Sequence, residues 1–142
     1  MAHHLSIFVE NHPGKLNKIT AILGEHHINI RAMTLASGGE FGVLKVLVDD
    51  PDKGYDVLKE NHMIVSKRFI IVAKIDDRPG SLHRLLALLS NNQINIEDCY
   101  GFILENSKHA AVVLEVQKFP EAENILLQNK IDILEDRQIY TL

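Results

Sequence analysis

Two periodicities alternate along the chain. Apolar residues at every second position predict strands, and apolar residues at intervals of three and four predict amphipathic helices. In the first half, the pattern predicts a strand over residues 5–9, a helix over 16–23, strands over 28–37 and 40–49, a helix that opens at 50–51, and a strand over 63–66. In the second half, it predicts a strand over residues 71–75, a helix over 82–89, strands over 94–105 and 109–117, a helix that opens at 119–120, and a strand over 131–134.

The second half repeats the first in residue identity as well as in pattern. When the two halves are aligned, Asp77-Arg78-Pro79-Gly80 falls on Asn11-His12-Pro13-Gly14, and Ile94-Asn95-Ile96 falls on Ile28-Asn29-Ile30. From the third strand onward the alignment needs a short gap, because the second half has an insertion around residues 104–107. A hairpin turn tolerates such an insertion, so the repeat predicts one structural unit built twice.

The order strand, helix, strand, strand, helix, strand predicts an α+β fold. We expect two ferredoxin-like βαββαβ units, each with an antiparallel sheet and two helices on one face of it. We assign the first unit to residues 1–67 and the second to residues 68–142. Because a lone unit of this size is marginally stable, we expect the sheets to pair side by side through their edge strands, as one continuous sheet of eight strands.

Composition narrows the possible functions. The 46% hydrophobic content is enough for a packed core, and the net charge of -4 comes from interspersed charges without a basic run. We therefore expect no nucleic-acid partner. No apolar stretch reaches the roughly 18 residues of a membrane span, and residues 1–7 do not resemble a signal peptide, so we expect no membrane partner and a cytoplasmic location.

Cysteine and histidine give little support for metal chemistry. Cys99 is the single cysteine, and no metal-ligand spacing surrounds it. The adjacent pairs His3-His4 and His26-His27 are poor chelates because neighbouring side chains point in different directions. We predict no metal site and no cofactor.

The turn after the first strand of each repeat is the candidate binding feature. Asn11-His12-Pro13-Gly14 and Asp77-Arg78-Pro79-Gly80 both lead directly into a predicted helix. The first N–H groups of a helix are unpaired and favour an anion such as a carboxylate. The Asn or Asp of the turn, with Asn29 or Asn95 at the same spacing further along each repeat, offers acceptors for an ammonium group. Alternatively, these Asn and Asp side chains cap the helix and the turn binds no ligand.

These residues resemble a known family. The pattern Asn-x-Pro-Gly-x-Leu, followed by Ile-Asn-Ile just after the predicted helix, resembles the ACT domain, a regulatory module that binds amino acids in metabolic enzymes. The resemblance covers nearly the whole chain as a tandem pair, and implies a stand-alone amino-acid-binding regulatory protein. The units are similar to the serine-binding domain of phosphoglycerate dehydrogenase and to the regulatory subunit of acetolactate synthase. In that family the ligand lies where two units meet side by side.

The resemblance also implies the ligand-binding residues by position. Asn11 and Asn29 match the two ligand-contacting Asn of the serine-binding pattern, whereas Asp77 replaces the first Asn in the second unit. We therefore expect one better site, in the first unit, and one altered site. Val9 and Ile75 stand where that pattern has His, so serine specificity is not implied. The candidate ligand-binding residues are Asn11, His12, Pro13, Gly14, Lys15, Leu16, Asn29 and Ile30 in the first unit, and Asp77, Arg78, Pro79, Gly80, Ser81, Leu82, Asn95 and Ile96 in the second.

One family feature is missing from both repeats. The Gly that usually precedes Ile-Asn-Ile is replaced by His27 and Gln93. We expect these residues either to be left-handed, at a cost of about 1 kcal/mol, or to shift the end of the helix.

Two other functions stay open. Asp76, Asp77 and His83 are candidate acid–base groups, but Asp77 next to Arg78 is typical of a solvated turn, and Asn17 replaces His83 in the first unit. We therefore predict no catalytic residue and no enzyme. A ligand-independent regulatory subunit or interaction module, which docks on a metabolic enzyme, uses the same fold. We expect a homodimer, because one sheet edge stays open after internal pairing.

Overall fold

The computed structural model describes residues 1–142 and contains the predicted element order twice, followed by a short helix. The longest helices have eleven residues, about half of the roughly 20 that a membrane-spanning helix needs. The first repeat contains β1 (His3–Glu10), α1 (Lys15–Glu25), β2 (Ile30–Gly38), β3 (Phe41–Val48), α2 (Pro51–Glu60) and β4 (Ile64–Phe69). The second contains β5 (Ile71–Asp76), α3 (Ser81–Asn91), β6 (Ile96–Ile103), β7 (His109–Val116), α4 (Phe119–Gln128) and β8 (Asp132–Ile133), and α5 (Asp136–Tyr140) follows.

Each repeat forms its own four-stranded sheet, with strand order β2-β3-β1-β4 or β6-β7-β5-β8. The two sheets use equivalent registers, since Leu5 is paired with Val46 in the first and Ile71 with Leu114 in the second. These pairs occupy equivalent positions in the alignment of the two sequence repeats. The predicted pair of ferredoxin-like units is confirmed.

The continuous eight-stranded sheet is not formed within the chain, and this part of the prediction is wrong. Strand pairing stays within each set of four, and β2 and β6 are each paired on one side only. At the opposite edge of the second sheet, β8 has only two residues. An edge this short offers too few backbone groups for a ladder with a second sheet.

The chain divides into two compact units that exchange their ends. The first unit contains His3–Arg68 and Tyr140–Leu142, and the second contains Met1–Ala2 and Phe69–Ile139. In the first unit, Arg31 Nη2 donates to the Tyr140 carbonyl at 3.0 Å. In the second unit, the Ile70 amide donates to the Ala2 carbonyl at 3.0 Å. The boundary assigned from the repeat, after residue 67, stays a prediction.

Each unit has its own hydrophobic core, to which its sheet and both of its repeat helices contribute. Alternate strand residues and the apolar stripe of each helix meet there, as their periodicities predict. In the first unit the core includes Leu5, Ile7, Leu23, Leu44 and Leu58, and in the second Ile71, Ala73, Leu89, Leu114 and Leu126.

The four repeat helices end in the same way. The second residue after each helix is left-handed, with φ of 57° at His27, 64° at His62, 59° at Gln93 and 59° at Lys130. The residue after it donates its amide to a carbonyl in the last turn of the helix, as Ile94 does to Leu89 at 2.9 Å. This is the Schellman arrangement, which usually has Gly at the left-handed position. Of the two alternatives expected for His27 and Gln93, the left-handed backbone is the one that forms.

Two features were not predicted from the sequence pattern. Helix α5 has five residues, of which only Ile139 is buried, and this is too short to produce a periodic signal. Strand β4 ends at Phe69 rather than at residue 66, and its additional residues include the charged pair Lys67-Arg68. Charged side chains are tolerated there because β4 is an edge strand.

Candidate ligand-binding site

The turn between β1 and α1 is fastened to the β2–β3 hairpin. The Asn11 amide donates to the Glu40 carbonyl at 2.7 Å, and the Asn11 side-chain Nδ2 donates to the Gly39 carbonyl at 2.8 Å. His12 Nε2 lies 3.1 Å from Glu10 Oε2. Gly14 immediately precedes α1 with φ of 88°, a left-handed conformation that glycine adopts without strain.

The turn between β5 and α3 has the same backbone but different side-chain contacts. The Asp77 amide donates to the Lys108 carbonyl at 2.9 Å, and Gly80 has φ of 87°. Arg78 Nη2 donates to Asp76 Oδ2 at 2.8 Å. The Asp77 carboxylate is exposed, and no side-chain hydrogen bond or ion pair holds it in place. It is therefore available to an external cation.

Neither turn supplies a side-chain cap to the helix that follows it. By contrast, Asp50 caps α2 by accepting from the Lys53 amide at 3.1 Å. Helix α4 also lacks a side-chain cap, but Pro120 near its start removes one donor. Because Asn11 is committed to the hairpin, the alternative that it caps α1 is wrong. The first amides of the two helices, at Lys15 and Ser81, donate to the His12 and Arg78 carbonyls at 3.3 and 3.1 Å, so the N–H groups left for solvent or a ligand are those of the two residues that follow.

A cavity of about 290 Å³ lies beside the second turn. Asp77, Arg78 and Leu82 form its wall on the side of the turn and helix. On the side of the sheet, Gly101 in β6 lines the cavity without a side chain. The other lining residues come from the ends of β5, β6 and β7, and are Ile75, Asp76, Phe102, Ile103, Ala110, Ala111 and Val112. These strand residues were not among the predicted site residues. One signal in the sequence could have found them: the alignment of the repeats pairs Gly101 with Leu35, so the second repeat lacks a large side chain at this position.

The two Asn residues at the start of β2 and β6 lie at the other end of their sheets. The Asn29 amide donates to Asp49 Oδ1 at 2.9 Å, next to the pair formed by Ile30 and Val48. Asn11 contacts the hairpin at the opposite end of β2. The nine residues of β2 therefore separate Asn11 from Asn29, a distance of roughly 27 Å at 3.3–3.4 Å per residue. Asn95 and Asp77 occupy the corresponding opposite ends of the second sheet.

The family model described as "ACT domain pair" matches residues 1–142, the whole chain. The chain belongs to the ACT family. ACT domains are generally amino-acid-binding regulatory modules of metabolic enzymes. No curated protein matches the chain.

Solved structures are similar to the chain in fold. Protein BT0572 from Bacteroides thetaiotaomicron is 35% identical, with a TM-score of 0.92, and the alignment covers 99% of this chain and 96% of that one. The ligand-free regulatory subunit of aspartate kinase from Thermus thermophilus is 15% identical, with a TM-score of 0.66 and coverage of 90% and 93%. The corresponding subunit from Thermus flavus is 16% identical, with a TM-score of 0.59 and coverage of 89% and 90%. The Thermus proteins are similar in fold alone.

Within one ACT unit, the structure brings together only part of the predicted site. The turn residues are contiguous, but Asn29, Ile30, Asn95 and Ile96 lie at the far end of the sheet. Several predicted residues also have structural roles. Leu16, Ile30 and Ile96 pack against the cores of their units. Ser81 is buried and accepts a hydrogen bond from Arg84 Nη2 at 3.3 Å.

The candidate acid–base groups of the second ACT unit are solvated. Asp76 is held by Arg78 and lies 3.5 Å from His109 Nε2. His83 is exposed on α3. No group of three or more His, Cys, Asp or Glu side chains stands close enough to hold a metal ion.

Proposed function

We propose that this ACT pair binds a free amino acid, modulates a metabolic enzyme in response, and is not itself an enzyme. The family supports a regulatory module, and the geometry of the two turns is the observation that supports amino-acid binding. Each places the uncapped start of an eleven-residue helix next to an Asn or Asp side chain. The helix N–H groups suit a carboxylate, and the side-chain oxygen suits an ammonium, so one zwitterion satisfies both.

The ligand lies where the turn of one ACT unit meets the edge strand of a second copy of the chain. Two observations support this placement. Strands β2 and β6 are paired on one side only, which leaves an edge for a second copy in a homodimer. In addition, Asn29 and Asn95 immediately precede these edge strands, far from the turn of their own unit. In the proposed arrangement a neighbouring subunit supplies the second Asn.

A thermal-shift screen of the twenty amino acids tests the proposal. A ligand at 100 times its dissociation constant stabilises the folded chain by about 2.7 kcal/mol, which raises the unfolding midpoint by several degrees. N-acetylated and amidated forms of each hit are the controls, because they lack one charge of the zwitterion and are expected to give no shift. If none of the twenty raises the midpoint, the amino-acid sensor is refuted.

The predicted Asn pair is tested with the double variant Asn11→Ala, Asn29→Ala. We expect it to abolish the shift given by a hit whose site includes the first turn. Asn11 also holds the hairpin, so a matched control must lose a similar hydrogen bond elsewhere. Asn61→Ala serves this purpose, because Asn61 Nδ2 donates to the Val57 carbonyl at 2.8 Å, away from the turn. Equal binding by the double variant and Asn61→Ala would contradict the assignment of the Asn pair.

A docking module that needs no ligand is the second candidate, and an exposed aromatic pair favours it. Phe8 and Phe41 stack with ring centroids 5.1 Å apart, and they are 43% and 46% exposed. Lys74 stands at the position of Phe8 in the second repeat. If the chain is a docking module, no amino acid shifts the unfolding midpoint. Phe8→Lys then abolishes the inhibition or activation of an enzyme that the wild-type chain regulates. A cytoplasmic location and the absence of nucleic-acid and membrane partners stay predictions from composition.

A further inference from the structure

The cavity beside the second turn is apolar except at its rim. Alternation along β6 places Gly101 and Ile103 on the side of the sheet that carries the helices, where they face the first turn of α3. Ile103 is 56% exposed and Leu82 is 44% exposed, so both present apolar surface to solvent across this cavity. Exposed apolar walls around a concave space are typical of a site that an apolar group fills.

The first unit has a different residue at the position that opens this cavity. Gly101 is paired with Val112 in β7, and Leu35 is paired with Leu44 at the equivalent position of the first sheet. At this position the first sheet carries the Leu35 side chain, whereas the second sheet has none. Ser37 likewise replaces Ile103. The two units therefore differ in the space and in the apolar surface that they offer beside equivalent turns.

The rim of the second cavity carries the charges that an amino-acid backbone needs. The Arg78 guanidinium uses one of its donors on Asp76 and keeps others for a carboxylate. The exposed Asp77 carboxylate accepts an ammonium. These two groups stand at the turn, while the apolar residues lie on the strands and α3. A ligand with a carboxylate, an ammonium group and an aliphatic side chain therefore satisfies the whole site.

From these observations we infer that the second ACT unit binds an amino acid with an aliphatic side chain, which enters the cavity over Gly101, while Leu35 excludes the same ligand from the first unit. This inference rests on the proposed function. The volume of about 290 Å³ lies at the lower end of ligand pockets, which suits a single amino acid. The inference also reverses the expectation from the sequence, which gave the first unit the better site.

Leucine and asparagine are the probes, because they have similar shape and differ in polarity. Each methylene buried against an apolar wall favours binding about fourfold, and burial of an unpaired amide opposes it. Isothermal titration calorimetry on the full chain is therefore expected to give leucine at least roughly tenfold higher affinity than asparagine. Equal or tighter binding of asparagine overturns the inference and leaves the proposed function intact, whereas failure of all twenty amino acids refutes the proposed function as well.

Substitution at Ile103 locates the ligand. Ile103→Ser introduces the residue of the first unit and is expected to weaken leucine binding about tenfold. The unfolding midpoint without ligand is expected to stay the same, because Ile103 is largely exposed. Gly101→Leu is more direct, but a Cβ there would stand 3.1 Å from the Ala111 carbonyl oxygen, so the strand would have to shift.

Leu35→Ala is the matched control, since Leu35 is an aliphatic residue at 45% exposure on the equivalent strand. We expect this variant not to weaken leucine binding, because Leu35 lies outside the second unit; any binding newly admitted to the first unit would add to the wild-type signal. If Leu35→Ala weakens binding as much as Ile103→Ser, or if Ile103→Ser has no effect, the ligand is not in the cavity of the second unit and the inference is overturned.

Discussion

Glycine in place of Gln93 relieves backbone strain at the end of α3. Gln93 has φ of 59°, a left-handed conformation, and its amide donates to the Ser90 carbonyl at 3.0 Å. Its exposed side chain makes no hydrogen bond. The substitution therefore changes the backbone preference and removes no contact of the folded state. His27, with φ of 57° after α1, offers the same test in the first unit.

Two opposing effects set the expected magnitude. A left-handed conformation costs a residue with a side chain about 1–2 kcal/mol, and glycine removes this cost. Glycine also has more freedom in the unfolded chain, which lowers stability by about 0.5–1 kcal/mol. We therefore expect Gln93→Gly to raise the free energy of unfolding by about 0.5–1 kcal/mol. His27→Gly has the same expected gain, and the two add because the sites lie in different compact units.

Urea unfolding followed by circular dichroism measures these changes. The midpoint is expected to rise without a change in m-value, and if the units unfold in separate transitions, each variant raises only its own. Gln93→Ala is the control, because alanine removes the side chain but keeps the left-handed strain. If Gln93→Gly is no more stable than Gln93→Ala, the strain at this helix end does not have the size assumed.

Three further predictions concern the turns and the thiol. Asn11→Ala is expected to lower the free energy of unfolding by about 0.5–1 kcal/mol, since it removes the hydrogen bond to the hairpin; no change in chemical denaturation would contradict the tether. Asp50→Ala is expected to lower the free energy of unfolding by about 1 kcal/mol, because it removes the cap on α2. Asp77→Ala is expected to lower it by less than about 0.5 kcal/mol, and chemical denaturation of the two variants checks this order. Burial, with a smaller contribution from Asp98, raises the pKa of the Cys99 thiol, so the thiolate fraction at pH 8 is low. Iodoacetamide is therefore expected to react with Cys99 more slowly than with free cysteine, and an equal rate would contradict the raised pKa.

The repeat and the local turn chemistry were predictable because short-range patterns carry them. Alternation and helical spacing assign each residue to a face, and two copies of the same pattern support the same assignment. The Pro-Gly turns likewise identified Gly14 and Gly80 as the residues before α1 and α3, both left-handed. The missing family Gly identified His27 and Gln93 as strained helix ends. Each of these inferences depends on residues a few positions apart.

The contacts of individual side chains were less predictable. Asn11 looked like a helix cap, but it donates to the distant Gly39, because the hairpin folds back beside the turn. Asn29 looked like a partner of Asn11, but the antiparallel order of the strands puts it at the other end of the sheet. Sequence spacing cannot distinguish these arrangements, since the direction in which β2 returns decides which side chains meet.

The sequence by itself determined the duplicated ACT fold, its core faces and the turns that begin its helices, because local periodicity and turn residues are enough to specify them. Only the tertiary structure decided that strand pairing stays within each sheet, that the chain ends are exchanged between the compact units, and that a cavity opens over Gly101. These features depend on contacts between residues far apart in sequence. An open space beside a strand arises when several elements pack around a missing side chain, and no single segment of the chain specifies it.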